Sequence, residues 1–238
     1  MKPRARSIGV GPSNWLKQFS VSILTLGCAL LGAGCHTARS DAAAAKPAPA
    51  NSALNVYRVN ARLPAQIRRV AVLPLVADFA DPDASAGQAD LEPILHSELQ
   101  KRRTFELTFV SAERLQHSTG QRYWTAEEQL PADFFQRLRH ELGCDAVLFC
   151  RLTRYRAYVP LEIGWNLKLV DSEEPRIRWS VDETFDAGEP QVASSACKYS
   201  SRNFSEGRLL AQAGSILLSP RRFGQYSLDA MLATLPTR

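Results

Sequence analysis

What is scarce in this 238-residue chain narrows its chemistry first. Four histidines lie far apart, and no glycine-rich phosphate loop, nucleophile elbow or His-Glu-x-x-His helix occurs. The common motif-borne routes to nucleotide binding, serine hydrolysis and zinc hydrolysis are therefore missing. His117 and His140 could meet in space, though a polar helix-face histidine is the commoner reason for such residues. No catalytic residue, metal ligand or cofactor is assigned. Long hydrophobic runs are also lacking: the stretch from Phe19 to Leu31 falls short of the ~20 residues a helix needs to cross about 30 Å of hydrocarbon. Excess charge disappears once the first residues are set aside. Lys2, Arg4, Arg6 and Lys17 precede Cys35 without an acid, and the remainder holds 25 basic against 24 acidic residues, a net of +1. A nucleic-acid surface needs clustered cations to neutralise phosphate, so no nucleic acid is expected as a partner.

The basic start, the apolar run and the small residues Gly32, Ala33 and Gly34 have the layout of a secretory signal peptide. Leu30-Leu31-Gly32-Ala33-Gly34-Cys35 resembles the bacterial lipobox, which implies a diacylglycerol thioether on Cys35 and cleavage just before it. An ordinary cleaved signal with an incidental cysteine is the alternative; Cys28, inside the apolar run, is the poorer candidate. His36 stands where an inner-membrane retention signal would place aspartate, so the resemblance implies an outer-membrane anchor on the periplasmic face. From His36 to about Asn55 the chain is rich in Ala, Pro and Ser without apolar periodicity, the composition of a disordered tether. Some twenty residues in that regime span at most ~60 Å. The expected organisation is a signal peptide at 1–34, lipidated cysteine and tether at 35–55, and one domain at 56–238.

Within that domain the periodicity changes halfway. Ile67 to Leu75 reads as a buried strand ended by Pro74, and Phe105 to Val110 as a second strand followed by a helix capped by Ser111. Asp90 is the expected cap of a helix with Leu91, Ile94, Leu95 and Leu99 on one stripe, after a loop from Ala77 to Ala89. Thr125 to Glu128 has capping-box spacing, and Phe134, Phe135, Leu138 and Leu142 form a helix face closed by Gly143. Asp145 to Leu152 is apolar on both parities and should be a central strand. Leu161, Ile163, Trp165, Leu167 and Leu169, then Ile177, Trp179, Val181 and Phe185, alternate with mostly polar residues around a turn at Asp171–Arg176. That pattern predicts an antiparallel hairpin with one buried face. Ser219-Pro220 opens a C-terminal helix. The expected fold is α/β, a mixed sheet with helices packed on it that ends in a hairpin and C-terminal helices.

Arg69-Val-Ala-Val-Leu-Pro-Leu75 and Gly143-Cys-Asp-Ala-Val-Leu-Phe-Cys-Arg-Leu-Thr-Arg-Tyr155 resemble the opening strand and the Asp-led central strand of the curli-secretion lipoproteins. That fold is shared with the amino-terminal domain of TolB and with lipoprotein activators of penicillin-binding proteins. The resemblance runs from about Arg68 to Phe185 and implies a TolB-like domain. Curli-secretion proteins build a pore from long amphipathic hairpins, and this chain offers one short candidate, Leu161 to Phe185.

Ser195-Ala-Cys-Lys198 has the serine-lysine spacing of penicillin-binding enzymes, with no Lys-Thr-Gly elsewhere. Cys144, Cys150 and Cys197 could hold one disulfide or none, and Cys150 in an apolar strand suits a small buried hydrophobe. The remaining feature is Arg151, Arg154, Tyr155, Arg156 and Tyr158, where cations and aromatics crowd a strand end. Arg and Tyr favour protein interfaces, although snorkelling side chains at an ordinary strand end would look the same. The expectation is a non-catalytic, lipid-anchored binding or assembly module with a protein partner in the envelope. A hydrolase of cell-wall or surface material and a protomer of a secretion pore are the alternatives.

Overall fold

The computed structural model describes residues 54–77, 82–203 and 214–238. The expected signal peptide, Cys35 and nearly all of the tether lie outside them. The strands are β1 Asn55–Arg58, β2 Arg69–Val72, β3 Glu106–Phe109, β4 Ala146–Arg156, β5 Glu162–Asp171 and β6 Ile177–Asp186. The helices are α1 Pro82–Arg102, α2 Ala112–Thr119, α3 Phe134–Leu142, α4 Pro190–Asn203 and α5 Pro220–Leu232. One six-stranded sheet runs in the order β1-β6-β5-β4-β2-β3. β2 is parallel to β3 and β4, and the remaining pairs are antiparallel. The fold is thus α/β with a mixed sheet, as the sequence pattern predicts.

The two sheet faces are covered unequally. On one face Val70, Val72, Leu148, Leu152, Ile163, Trp165, Leu169, Trp179 and Phe185 pack with α1 and α5 in the larger core. On the other, Ala71, Leu73, Val147, Phe149 and Val170 meet Leu115 of α2 and Phe134 and Leu138 of α3. β2 and β4 are therefore buried on both faces, which accounts for their continuous apolar sequence. On the opposite parity of β5 and β6, Asn166, Lys168, Ser180, Asp182 and Thr184 are at least partly exposed, while Gly164 and Val170 are buried. That half of the sheet is open.

Three elements differ from expectation. α1 begins at Pro82 instead of near Asp90, so Pro93 lies mid-helix. Ala84, Ala86, Gln88 and Ala89 are adequate helix formers, and the added turns serve a local need. The Gln88 side-chain amide donates to the Leu75 carbonyl at 2.6 Å, and the Glu92 carboxylate accepts the Leu75 N–H at 2.9 Å. Both backbone groups of Leu75, left without a ladder after Pro74, are thereby satisfied. The Thr125–Glu128 box forms its bonds, with Glu128 Oε1 accepting from the Thr125 N–H and hydroxyl, but closes a turn; the helix starts at Phe134. β1, at the expected boundary between tether and domain, is a strand that the sequence pattern does not predict.

Candidate functional site

The cluster from Arg151 to Tyr158 is organised by a break in strand register. Leu152 pairs with Trp165 and Arg154 with Gly164, leaving Thr153 as the extra residue of a β-bulge. Gly164 is required there, because a Cβ would stand 2.5 Å from Thr153 Oγ1 and 3.0 Å from Arg154 Cβ. The bulge returns Arg154 and Arg156 to the open side shared by Arg151, while Tyr155 turns toward α1. Tyr155 packs over Gly87, where a Cβ would meet its ring at 2.5 Å, and burial beside Asp90 and Asp83 pushes its hydroxyl pKa up.

The five sequence candidates therefore divide. Tyr155 is half-buried against the helix, and Arg156 is engaged internally. Its guanidinium reaches Glu162 at 2.9 Å and Asp186 at 3.3 Å and donates to the Pro160 carbonyl at 2.6 Å. Arg151 is exposed and shares its surroundings with Glu127, whose carboxyl burial pulls up but Lys168 holds below its ordinary value. Arg154 is exposed too. Tyr158 and Val159, in the turn between β4 and β5, are 66% and 62% exposed. The structure thus leaves Arg151, Arg154, Tyr158 and Val159 exposed, while Arg156 and Tyr155 are held by internal contacts.

A second exposed apolar group lies at the other end of β5, by the turn into β6, and went unrecognised in the sequence. Tyr57 is 55% exposed, Val59 44% and Ile177 37%. They line one shallow depression with Lys168, Arg176 and Arg178. β1 and the residue after it supply the first two, because Tyr57 sits opposite Ser180 and the Val59 N–H bonds the Arg178 carbonyl at 3.2 Å. The alternation of Asn55-Val-Tyr-Arg58 was the available signal, and four residues are too few for periodicity to separate from a tether.

The other candidates do not assemble. Ser195 and Lys198 share α4 without a hydrogen bond between them; Lys198 instead lies beside Ser194, Cys197, Ser201 and Arg202 on an open helix face. Cys144, Cys150 and Cys197 are free thiols, and burial pushes the pKa of the first two up. Cys150 is a core residue, as its apolar strand predicts. Among the described residues no three His, Cys, Asp or Glu side chains converge in a metal-binding group, and no helix is long and apolar enough to cross a membrane.

No family model matches the chain, and no curated protein matches it. Solved structures similar to it include the PelC dodecamer from Paraburkholderia phytofirmans, at 15% identity and a TM-score of 0.41, covering 78% of this chain and 97% of that one. Lipoprotein GNA1162 from Neisseria meningitidis is similar at 18% identity and a TM-score of 0.34, over 50% of this chain and 79% of that one. The LpoB C-terminal domain from Salmonella enterica is similar at 14% identity and a TM-score of 0.29, over 50% and 82%. At these values none of the three says what this chain binds or does.

Proposed function

We propose that this chain is an exported lipoprotein, anchored through Cys35 at the periplasmic face of the outer membrane, whose α/β domain is a non-catalytic binding or assembly module for a protein partner in the envelope. The observation that supports partner binding is the braced turn between β4 and β5. Tyr158 and Val159 are exposed on a turn held by the Arg156 pairs and by Tyr155 against α1. Binding energy concentrates where rigid aromatic and Arg groups need little ordering on association. The apolar parity of β5 and β6, which a pore reading would turn to lipid, is packed in the core through Trp165 and Trp179.

Two expected results test this reading. A photo-crosslinking amino acid in place of Tyr158, in cells, should give a discrete adduct that Arg154→Glu with Val159→Asp removes. An adduct unchanged by that pair, or no adduct, refutes the turn as the interface. Radiolabelled palmitate should enter the wild type and not Cys35→Ser, because the Cys35 thiol is the group that accepts the diacylglyceryl unit and becomes the thioether. Equal labelling would refute the anchor.

A further inference from the structure

We infer that the outer edge of β3 is an interface for a second copy of this chain, joined to it strand against strand about a two-fold axis at Leu107. β3 ends the sheet, with β2 on one side only. The Glu106 N–H bonds the Arg68 carbonyl and the Val110 N–H bonds the Val72 carbonyl, both at 2.9 Å, and Thr108 shares their parity. Successive peptide groups of a strand point to opposite sides, so those of Phe105, Leu107 and Phe109 face away from β2. None of these three has a backbone partner among the described residues. Native edges are blunted by lysine, proline or a bulge. The segment from Phe105 to Val110 holds no lysine or proline, and it pairs with β2 without a register break.

The pattern of the segment selects a second copy as the occupant. Phe105-Glu-Leu-Thr-Phe109 reads apolar, polar, apolar, polar, apolar from either end. An antiparallel pair centred on Leu107 sets Leu107 against Leu107 of the second copy, Phe105 against Phe109, and Glu106 against Thr108. Each outward-facing pair then exchanges both of its N–H to carbonyl bonds. Phe105, Leu107 and Phe109 are half-buried on the rim of the larger core, and the same three residues of the second copy continue that rim across the axis. On the other sheet face each Glu106 carboxylate meets a hydroxyl and keeps Arg69 at 3.0 Å. No like charges stand opposite each other, the arrangement that would oppose pairing. Such a contact is self-complementary, as a two-fold interface must be. It depends neither on the anchor nor on the turn between β4 and β5.

Disulfide trapping tests the register. Two versions of the full chain in a Cys197→Ser background, one with Glu106→Cys and one with Thr108→Cys, are coexpressed with different tags and oxidised. Opposed residues of a non-hydrogen-bonded pair have Cα atoms about 4.5 Å apart, within disulfide reach, so the mixture should yield the heterodimer. Either version alone should not, because its cysteines then sit diagonally, about 7–8 Å apart. Sedimentation of the full chain in detergent gives the second readout. Thr108→Glu places carboxylates opposite each other on both sides of the axis and should raise the dissociation constant at least about tenfold. Adding Glu106→Thr to that variant recreates the acid-hydroxyl pairs and should recover the dimer. A monomeric wild type, a dimer indifferent to Thr108→Glu, no heterodimer, or equal trapping by either version alone overturns the inference. A cysteine adduct to a different protein in place of the heterodimer also overturns it and assigns the edge to a foreign strand.

Discussion

Replacing Trp165 with Ala is expected to destabilise the domain by about 3–5 kcal/mol, the range for deleting a buried aromatic from a well-packed core. Trp165 is fully buried between β5 and α5. Its indole N–H donates to Ser227 Oγ at 2.9 Å, and that hydroxyl donates onward to the Gly224 carbonyl at 3.0 Å. Trp179 repeats the device. Its N–H meets Thr234 Oγ1 at 3.1 Å, and Thr234 donates to the Met231 carbonyl at 2.7 Å. The two indoles thus attach α5 and the residues just beyond it to the hairpin, and Ala at Trp165 leaves a cavity together with an acceptor that has lost its donor. Against a typical total of 5–15 kcal/mol this is a large share. Urea unfolding should show the lowered midpoint, and Trp165→Phe, which refills most of the volume, should recover part of it. In the wild type both tryptophans should resist acrylamide quenching. A shift below about 1 kcal/mol for Trp165→Ala, far under the usual cost of such a cavity, would mean that the hairpin does not pack on α5 in solution.

Asp171→Ala should cost a similar amount for an electrostatic reason. The Asp171 side chain is 4% exposed and the Arg178 side chain 14%. Oδ2 accepts from Arg178 Nε at 3.0 Å and from its terminal nitrogen at 2.7 Å, while Oδ1 accepts the Glu173 and Glu174 N–H groups at 2.9 and 3.3 Å. Removing the carboxylate strands a shielded guanidinium and frees two turn amides, a change expected to cost about 3–5 kcal/mol. Asp171→Asn keeps an oxygen for the turn and should lose less. Asp171→Ala/Arg178→Ala should be more stable than the sum of the single changes, because the unpaired charge is gone. Thermal unfolding of the four variants reads the cycle. Additivity within about 0.5 kcal/mol would show that the pair is not coupled.

Much of the fold was legible because its signals are local. The hairpin announced itself by period-two apolar residues in which Trp165 and Trp179 share a parity, and Ser111 and Gly143 marked helix ends through a hydroxyl acceptor and a left-handed backbone. Ser111 Oγ accepts the Arg114 N–H at 3.2 Å, and Gly143 has φ of 62°. The start of α1 was not legible, because the reason for its extra turns is Leu75, thirteen residues from Gln88. The Arg151–Tyr158 cluster was seen as a composition and not as a surface. Its bulge at Thr153 depends on a glycine from the neighbouring strand, so which of the five side chains point outward was not a property of that segment alone.

The burial parity of the hairpin and the doubly covered central strand were determined by the sequence itself, since side chains alternate on a strand and an apolar parity has one place to go. The tertiary structure alone decided which polar residues lie free. Arg156 and Arg178 are bound by acids brought from Asp186 and Asp171, whereas Arg58, Arg62 and Arg154 have none among the described residues. Pairing in space is set by which strands become neighbours, and β1 joins β6 across more than a hundred residues of chain. No local pattern encodes that contact, because the edge that β1 pairs with belongs to a strand far along the chain.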